Sequence, residues 1–110
     1  MINIELTNLE GKWVSRNIQV YKYFDDTELT IEIDNQSIEV TKKEKGKEPV
    51  IFASGLIKLK HLENDAFILE ISELSTHNII QICCKMFIAR EKSSFIAKIE
   101  PYQERYFERI

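Results

Sequence analysis

Glu28-Leu29-Thr30-Ile31-Glu32-Ile33-Asp34-Asn35-Gln36-Ser37-Ile38-Glu39-Val40-Thr41 is the most regular stretch of the chain. Leu29, Ile31 and Ile33 alternate with Thr30 and Glu32. After a turn at Asp34-Asn35-Gln36, Ile38 and Val40 alternate with Glu39 and Thr41. Successive side chains of an extended strand point to opposite faces, so this spacing makes one apolar face and one wet face. A helix gains nothing from it. The stretch predicts a hairpin of two half-buried strands.

The same period recurs on both sides. Ile51, Ala53, Gly55, Ile57 and Leu59 share one parity, with Lys58 and Lys60 on the other. Gly55, inside this run, predicts a bulge or a sharp bend. Phe67, Leu69 and Ile71 alternate with Ile68, Glu70 and Ser72. Ile80, Ile82, Cys84, Met86 and Ile88 form one apolar face, and Phe95, Ala97 and Ile99 another. Turn chemistry separates the runs, at Asp25-Asp26-Thr27, Lys45-Gly46-Lys47-Glu48-Pro49, Glu63-Asn64-Asp65, Ser75-Thr76-His77-Asn78 and Glu91-Lys92-Ser93. With a long first strand over 12–24 and a last over 104–110, eight strands with short connections are expected. Short connections make neighbours antiparallel. The predicted fold is all-β, an eight-stranded antiparallel up-and-down barrel whose closure removes the sheet edges; a β-sandwich is the alternative. Isoleucine outnumbers leucine, 17 to 8, which agrees with strands because branching at Cβ packs well on a pleated surface.

Composition narrows the class. The 110 residues suit one domain, 1–110, with one core. A net charge of −3 gives no general attraction for nucleic acid or anionic membrane. The start of the chain carries neither a basic segment nor an apolar run of the secretory kind, and no apolar run is long enough to span a bilayer. Cys83 and Cys84 are adjacent, so in a strand they face opposite ways and are expected as two reduced thiols, one inside and one outside. Reduced thiols point to the cytoplasm. The run Lys42-Lys43-Glu44-Lys45-Gly46-Lys47 alternates its charge and reads as a solvated hairpin tip.

Both ends of the chain resemble calycins, the superfamily of lipocalins, fatty-acid-binding proteins and avidins. Asn8-Leu9-Glu10-Gly11-Lys12-Trp13 resembles their Gly-x-Trp signature before the first strand, and Arg105-Tyr106-Phe107-Glu108-Arg109-Ile110 resembles the closing strand of small lipocalin-like domains. The resemblance implies a lipocalin-like barrel in which an arginine lies over the tryptophan and closes one end. It pairs Trp13 with Arg109 or with Arg105.

The first strand holds the most suggestive polar series. Trp13, Ser15, Asn17, Gln19, Tyr21 and Tyr23 share one parity. If Trp13 points inward without a bulge, Asn17, Gln19, Tyr21 and Tyr23 present amides and hydroxyls to a ligand in the lumen. A bulge after Trp13 would instead bury Val14, Ile18, Val20 and Phe24. No catalytic or metal-binding constellation stands out. His61 and His77 have no metal-like spacing to the cysteines, and three glycines cannot build a phosphate loop. No cofactor is expected. The expected function is therefore a non-enzymatic intracellular protein that binds a small apolar or amphipathic molecule, with Asn17, Tyr21 and Arg109 as orienting groups.

Two further resemblances imply other partners. Gly11-Lys12-Trp13-Val14-Ser15-Arg16 resembles the opening of the S-type phycobiliprotein lyases, lipocalin-like bilin chaperones, with Arg16 one residue nearer the tryptophan. Staphostatins, lipocalin-like inhibitors of cysteine proteases, are similar in length and share Gly-x-Trp. Where they carry an inhibitory Gly-Thr-Ser loop, this chain has Ile99-Glu100-Pro101-Tyr102-Gln103 without glycine. A protein-interaction module, such as an inhibitor or immunity protein acting through the Pro101-Tyr102 loop or an exposed sheet edge, is the alternative function.

Overall fold

A computed structural model of the chain describes residues 9–15, 18–20, 23–25, 27–62, 66–74, 76–88, 93–99 and 104–110. They contain ten strands, β1 (Gly11–Ser15), β2 (Ile18–Val20), β3 (Tyr23–Asp25), β4 (Glu28–Asp34), β5 (Ser37–Lys43), β6 (Val50–His61), β7 (Ala66–Ser72), β8 (Ile79–Ile88), β9 (Ser93–Lys98) and β10 (Arg105–Arg109). Eight close into a barrel in the order β1-β10-β9-β8-β7-β6-β5-β4, every pair antiparallel, while β2 and β3 form a separate two-stranded sheet. The all-β up-and-down barrel expected from the alternation is the observed architecture. No helix among the described residues is long and apolar enough to cross a membrane.

The hairpin that anchors the reading is β4–β5. Seven residue pairs run from Glu28↔Lys43 to Asp34↔Ser37. Asn35 takes the positive φ of 58° that the two-residue turn requires, and Ser37 Oγ donates to the Asp34 carbonyl at 2.8 Å. Leu29, Ile31, Ile33, Ile38 and Val40 are buried as their parity dictates. From the other strands Ala53, Ile57, Phe67, Leu69, Ile71, Ile82, Cys84, Phe95, Ala97 and Phe107 complete the core inside the barrel wall.

Two expectations about strand geometry are corrected. The long first strand over 12–24 is not one strand: β1 ends at Ser15, and Ile18–Val20 pairs with Tyr23–Asp25 outside the barrel. Trp13 and Ser15 both point inward, so a continuing barrel strand would carry Ile18 and Val20 on its wet face. The second correction concerns β6. Its bulge is at Phe52, not Gly55: Val40 pairs with Ala53 but Thr41 pairs with Ile51, which leaves Phe52 as the extra residue. The bulge inverts the parity before it. Ile51, expected inside with Ala53, therefore follows Thr41 to the outer face and is 62% exposed.

Gly55 answers to a different constraint. A Cβ there would lie 2.1 Å from the Ser72 carbonyl oxygen and 3.1 Å from Glu73 Cα. Just past this point Leu56 pairs with both Ser37 and Ser72, so β6 changes its main partner from β5 to β7 where the backbones approach most closely. On the outer face of this wall Lys60 Nζ meets Glu70 Oε2 at 2.7 Å, and Gln81 Nε2 donates to the same oxygen at 3.4 Å. The Lys60 bond, then the Gln81 bond, lowers the Glu70 pKa. The stabilisation is present above the ordinary carboxylate range and is lost as pH falls through the lowered value.

Gly55→Ala is expected to destabilise the fold by about 1–3 kcal/mol, since the obstacle is backbone that cannot rotate away. Ile51→Thr, on the outward side of the bulge, is expected to change stability by less than about 0.5 kcal/mol. Urea midpoints of the two variants check both, and equal losses would contradict the bulge assignment.

Candidate functional site

The two rims of the barrel differ in chemistry. At one, Trp13 on β1 is fully buried and its Nε1 donates to the Leu9 carbonyl at 2.9 Å, so the only polar atom of the indole is satisfied. Arg109 on β10 is the Cα partner of Trp13, and its guanidinium lies 4.2 Å from the ring centroid while donating to the Glu10 carbonyl. Gly11 makes room for it. A Cβ there would be 2.6 Å from Arg109 Nη1, and the Gly11 φ of +124° disfavours any other residue. Behind the indole, Phe95 meets Trp13 edge-on at 4.7 Å, stacks on Phe107 at 5.2 Å and meets Phe67 at 6.4 Å. The aromatic group was not legible as such, because its members come from strands far apart in the chain.

Arg105 does not share the tryptophan. Its parity with Phe107 and Arg109 turns it into the barrel four residues before the seal, where it is 2% exposed and its Nη1 donates to the Thr27 carbonyl. Strand directions alternate, so this is the opposite rim, onto which β1, β5, β7 and β9 all run. Thr27 immediately precedes β4, and Ser15 ends β1. The guanidinium thus reaches from β10 toward β4 beyond the last residue of the strand between them. Ser15 is also fully buried, and its Oγ has no hydrogen-bond partner among the described residues. The alternation within the closing strand carried the inward direction of Arg105. What it could not supply was the early end of β1.

Of the four polar residues expected to line the lumen, Asn17 and Tyr21 lie outside the described residues. Gln19 and Tyr23 have their backbones in β2 and β3, paired with Phe24 and Val20 respectively, and their side chains lie outside the description. The Pro101-Tyr102 segment lies outside it as well. Cys84 is buried and Cys83 exposed, both as free thiols. Burial, then the neighbouring Cys83, pushes the Cys84 thiol far up from its ordinary value, which leaves it a protonated donor to the Ile82 carbonyl at 3.6 Å. His61 and His77 are exposed, the latter with a φ of 60° in the turn after β7.

The outer wall carries a third feature, an open cleft of about 640 Å³ over β4, β5 and β6. Glu32, Asp34 and Glu39 line it together with Leu56 and Leu74. Glu32 and Glu39 are directly opposed across the β4–β5 ladder, a like-charge arrangement that weakens a sheet.

Comparison with protein-family models, with curated proteins and with solved structures found no match.

Trp13→Ala is expected to cost about 3–5 kcal/mol in denaturant melts, from lost burial and the cavity left under Arg109. Arg109→Ala is expected to cost roughly 1 kcal/mol, the scale of a cation over an indole. Glu39→Lys is expected to stabilise by about 0.2–1 kcal/mol by turning a repulsive cross-strand pair into an attractive one, and a lower melting midpoint would contradict the register at that pair.

Proposed function

We propose that this protein is a non-enzymatic, lipocalin-like carrier that takes a small amphipathic molecule at the rim of Ser15 and Arg105. One observation carries the reading: a hydroxyl without a partner among the described residues and a guanidinium are buried at the same rim of an otherwise apolar barrel. An unpartnered buried hydroxyl costs about 1–3 kcal/mol. A ligand hydroxyl, carbonyl or acidic group at this rim would satisfy Ser15 and gain from the fixed cation. Its apolar part would pack against Leu29 and Ala97, the cross-strand partners of Ser15 and Arg105.

Asn17, Gln19, Tyr21 and Tyr23 follow Ser15 in the chain and are proposed as further polar contacts for the same molecule. Kinship with the calycins is part of the proposal. Its support is Gly11-x-Trp13 at the opening of the barrel, Arg109 stacked over Trp13 and an eight-stranded up-and-down wall. The two free thiols favour a reducing compartment, so we place the protein in the cytoplasm.

Native and denaturing mass spectrometry of protein from its own host tests the reading. The expected result is a discrete added mass that leaves on denaturation, weakened in Asn17→Leu and Tyr21→Phe, which still fold. Ser15→Ala is expected to stabilise the empty barrel by about 1 kcal/mol while retaining less ligand, because it removes a desolvation cost along with a contact. A bare chain mass, together with no saturable quenching of Trp13 by the amphipathic anion anilinonaphthalene sulfonate, would overturn it. Trp13 is the chain's single tryptophan, so that signal reports from inside the barrel.

A further inference from the structure

The cleft on the outer wall combines a group of carboxylates with exposed aliphatic surface. Its carboxylates, Glu32, Asp34 and Glu39, take part in none of the ion pairs among the described residues, which join Lys42 and Lys47 to Glu44 and Lys60 to Glu70. Lys12, the Cα partner of Glu32 on β1, is the cation in register with them, so the group stays net negative. Beside it lie large aliphatic side chains facing water: Leu56 is 49% exposed, Leu74 69% and Ile79 63%.

Register fixes how these groups are laid out. Asp34 pairs with Ser37, Ser37 with Leu56, Leu56 with Ser72, and Ser72 with Ile79. This is one continuous row across five neighbouring strands. Glu32, Glu39 and Ser54 form the row beside it at the acidic end. With strands about 4.8 Å apart, the row from Asp34 to Ile79 is an arc of roughly 19 Å. Acid stands at one end, apolar surface at the other, with serines between.

We propose that this face docks an extended segment of a partner protein, basic where it meets Glu32, Asp34 and Glu39 and apolar where it meets Leu56, Leu74 and Ile79. The arc matches about six extended residues at roughly 3.3 Å each. The sign of the charge repels phosphate, which removes nucleic acid and anionic membrane. No group of three metal-ligating side chains among the described residues is arranged to hold a metal ion. Opposing Glu32 to Glu39 weakens the sheet, and a cation from a partner placed between them relieves it. Barrel closure leaves these ladder groups no free edge to offer, so recognition here runs through side chains and not through strand addition.

Panning a phage-displayed random dodecapeptide library on the whole chain, then measuring fluorescence anisotropy with the enriched peptides, tests this. Enriched sequences are expected to join Lys or Arg to Leu, Ile or Phe, and their affinity is expected to fall steeply with added salt. The double variant Glu32→Gln/Glu39→Gln and the single variant Leu74→Ser are each expected to weaken binding about tenfold. Both changes are on exposed positions, and the double variant is expected to melt no lower than the parent, so a loss of binding is not a loss of fold. No enrichment over uncoated wells, enrichment of acidic or uncharged sequences, or affinities indifferent to both variants would overturn the proposal.

Discussion

The contact of the Arg109 guanidinium with the Trp13 indole governs one whole rim of the barrel. Trp13 fills the rim, hands its single N–H to Leu9 and is covered by a cation that is itself held by the Glu10 carbonyl. Each of these groups depends on the others. Without Gly11 the guanidinium meets a side chain, and without Leu9 the indole N–H is buried unpaired. Because Trp13 points inward, Ser15 does too, and that fixes which face of β1 meets Leu29, Ile31 and Ile33 across the ladder. The aromatic group built on Phe95 then ties β1 to β7, β9 and β10 through the interior.

Most of this wall is legible in the chain because strand periodicity is a local signal. Residues 28–41 state their own hairpin, and the buried set of β4 and β5 is the set the alternation names. Cys83 and Cys84 divide between outside and inside for the same reason. What escapes is whatever depends on two strands at once. The bulge at Phe52 shows only as a slip between β5 and β6, and the single-strand pattern of Ile51, Ala53 and Gly55 hides it. Gly55 was visible as an anomaly, but its cause, the Ser72 carbonyl, lies on another strand. The candidate site divides likewise. Trp13 and the terminal arginine were visible through their motif, whereas the choice of Arg109 over Arg105 needed the register of β1 against β10.

Polar groups sit in this fold at three distances from water, and each has a different consequence. On the outer wall, Glu70 finds Lys60 and Gln81 and becomes part of the scaffold. In the cleft, Glu32 faces Glu39, and neither takes part in an ion pair among the described residues, although Lys12 stands in register with Glu32; the like-charge pair weakens the local sheet. Inside, Ser15 has left water for a site with no replacement bond among the described residues. A chain selected for stability alone has easy substitutions at both of the last two places. That shared feature links the lumen reading and the outer-wall reading, although they involve opposite faces of the wall.

The seam between β1 and β10 also sets an order of events. The Ile110 N–H donates to the Lys12 carbonyl at 2.9 Å, and the Arg109 contact to Glu10 joins residues 99 positions apart. Every other ladder of the barrel from β4 to β10 joins strands consecutive in the chain, so the six intervening pairings are cheap in loop entropy and the seam is the expensive one. β1 can pair with β4 early, but its other edge, and the Trp13 ring that Arg109 covers, wait for β10. The sheet from β1 through β4 to β9 can assemble meanwhile in open, curling form, and the Trp13–Arg109 stack is the clasp that converts it to a ring. In such a molecule the stack matters as much to the time spent edge-exposed as to the final stability.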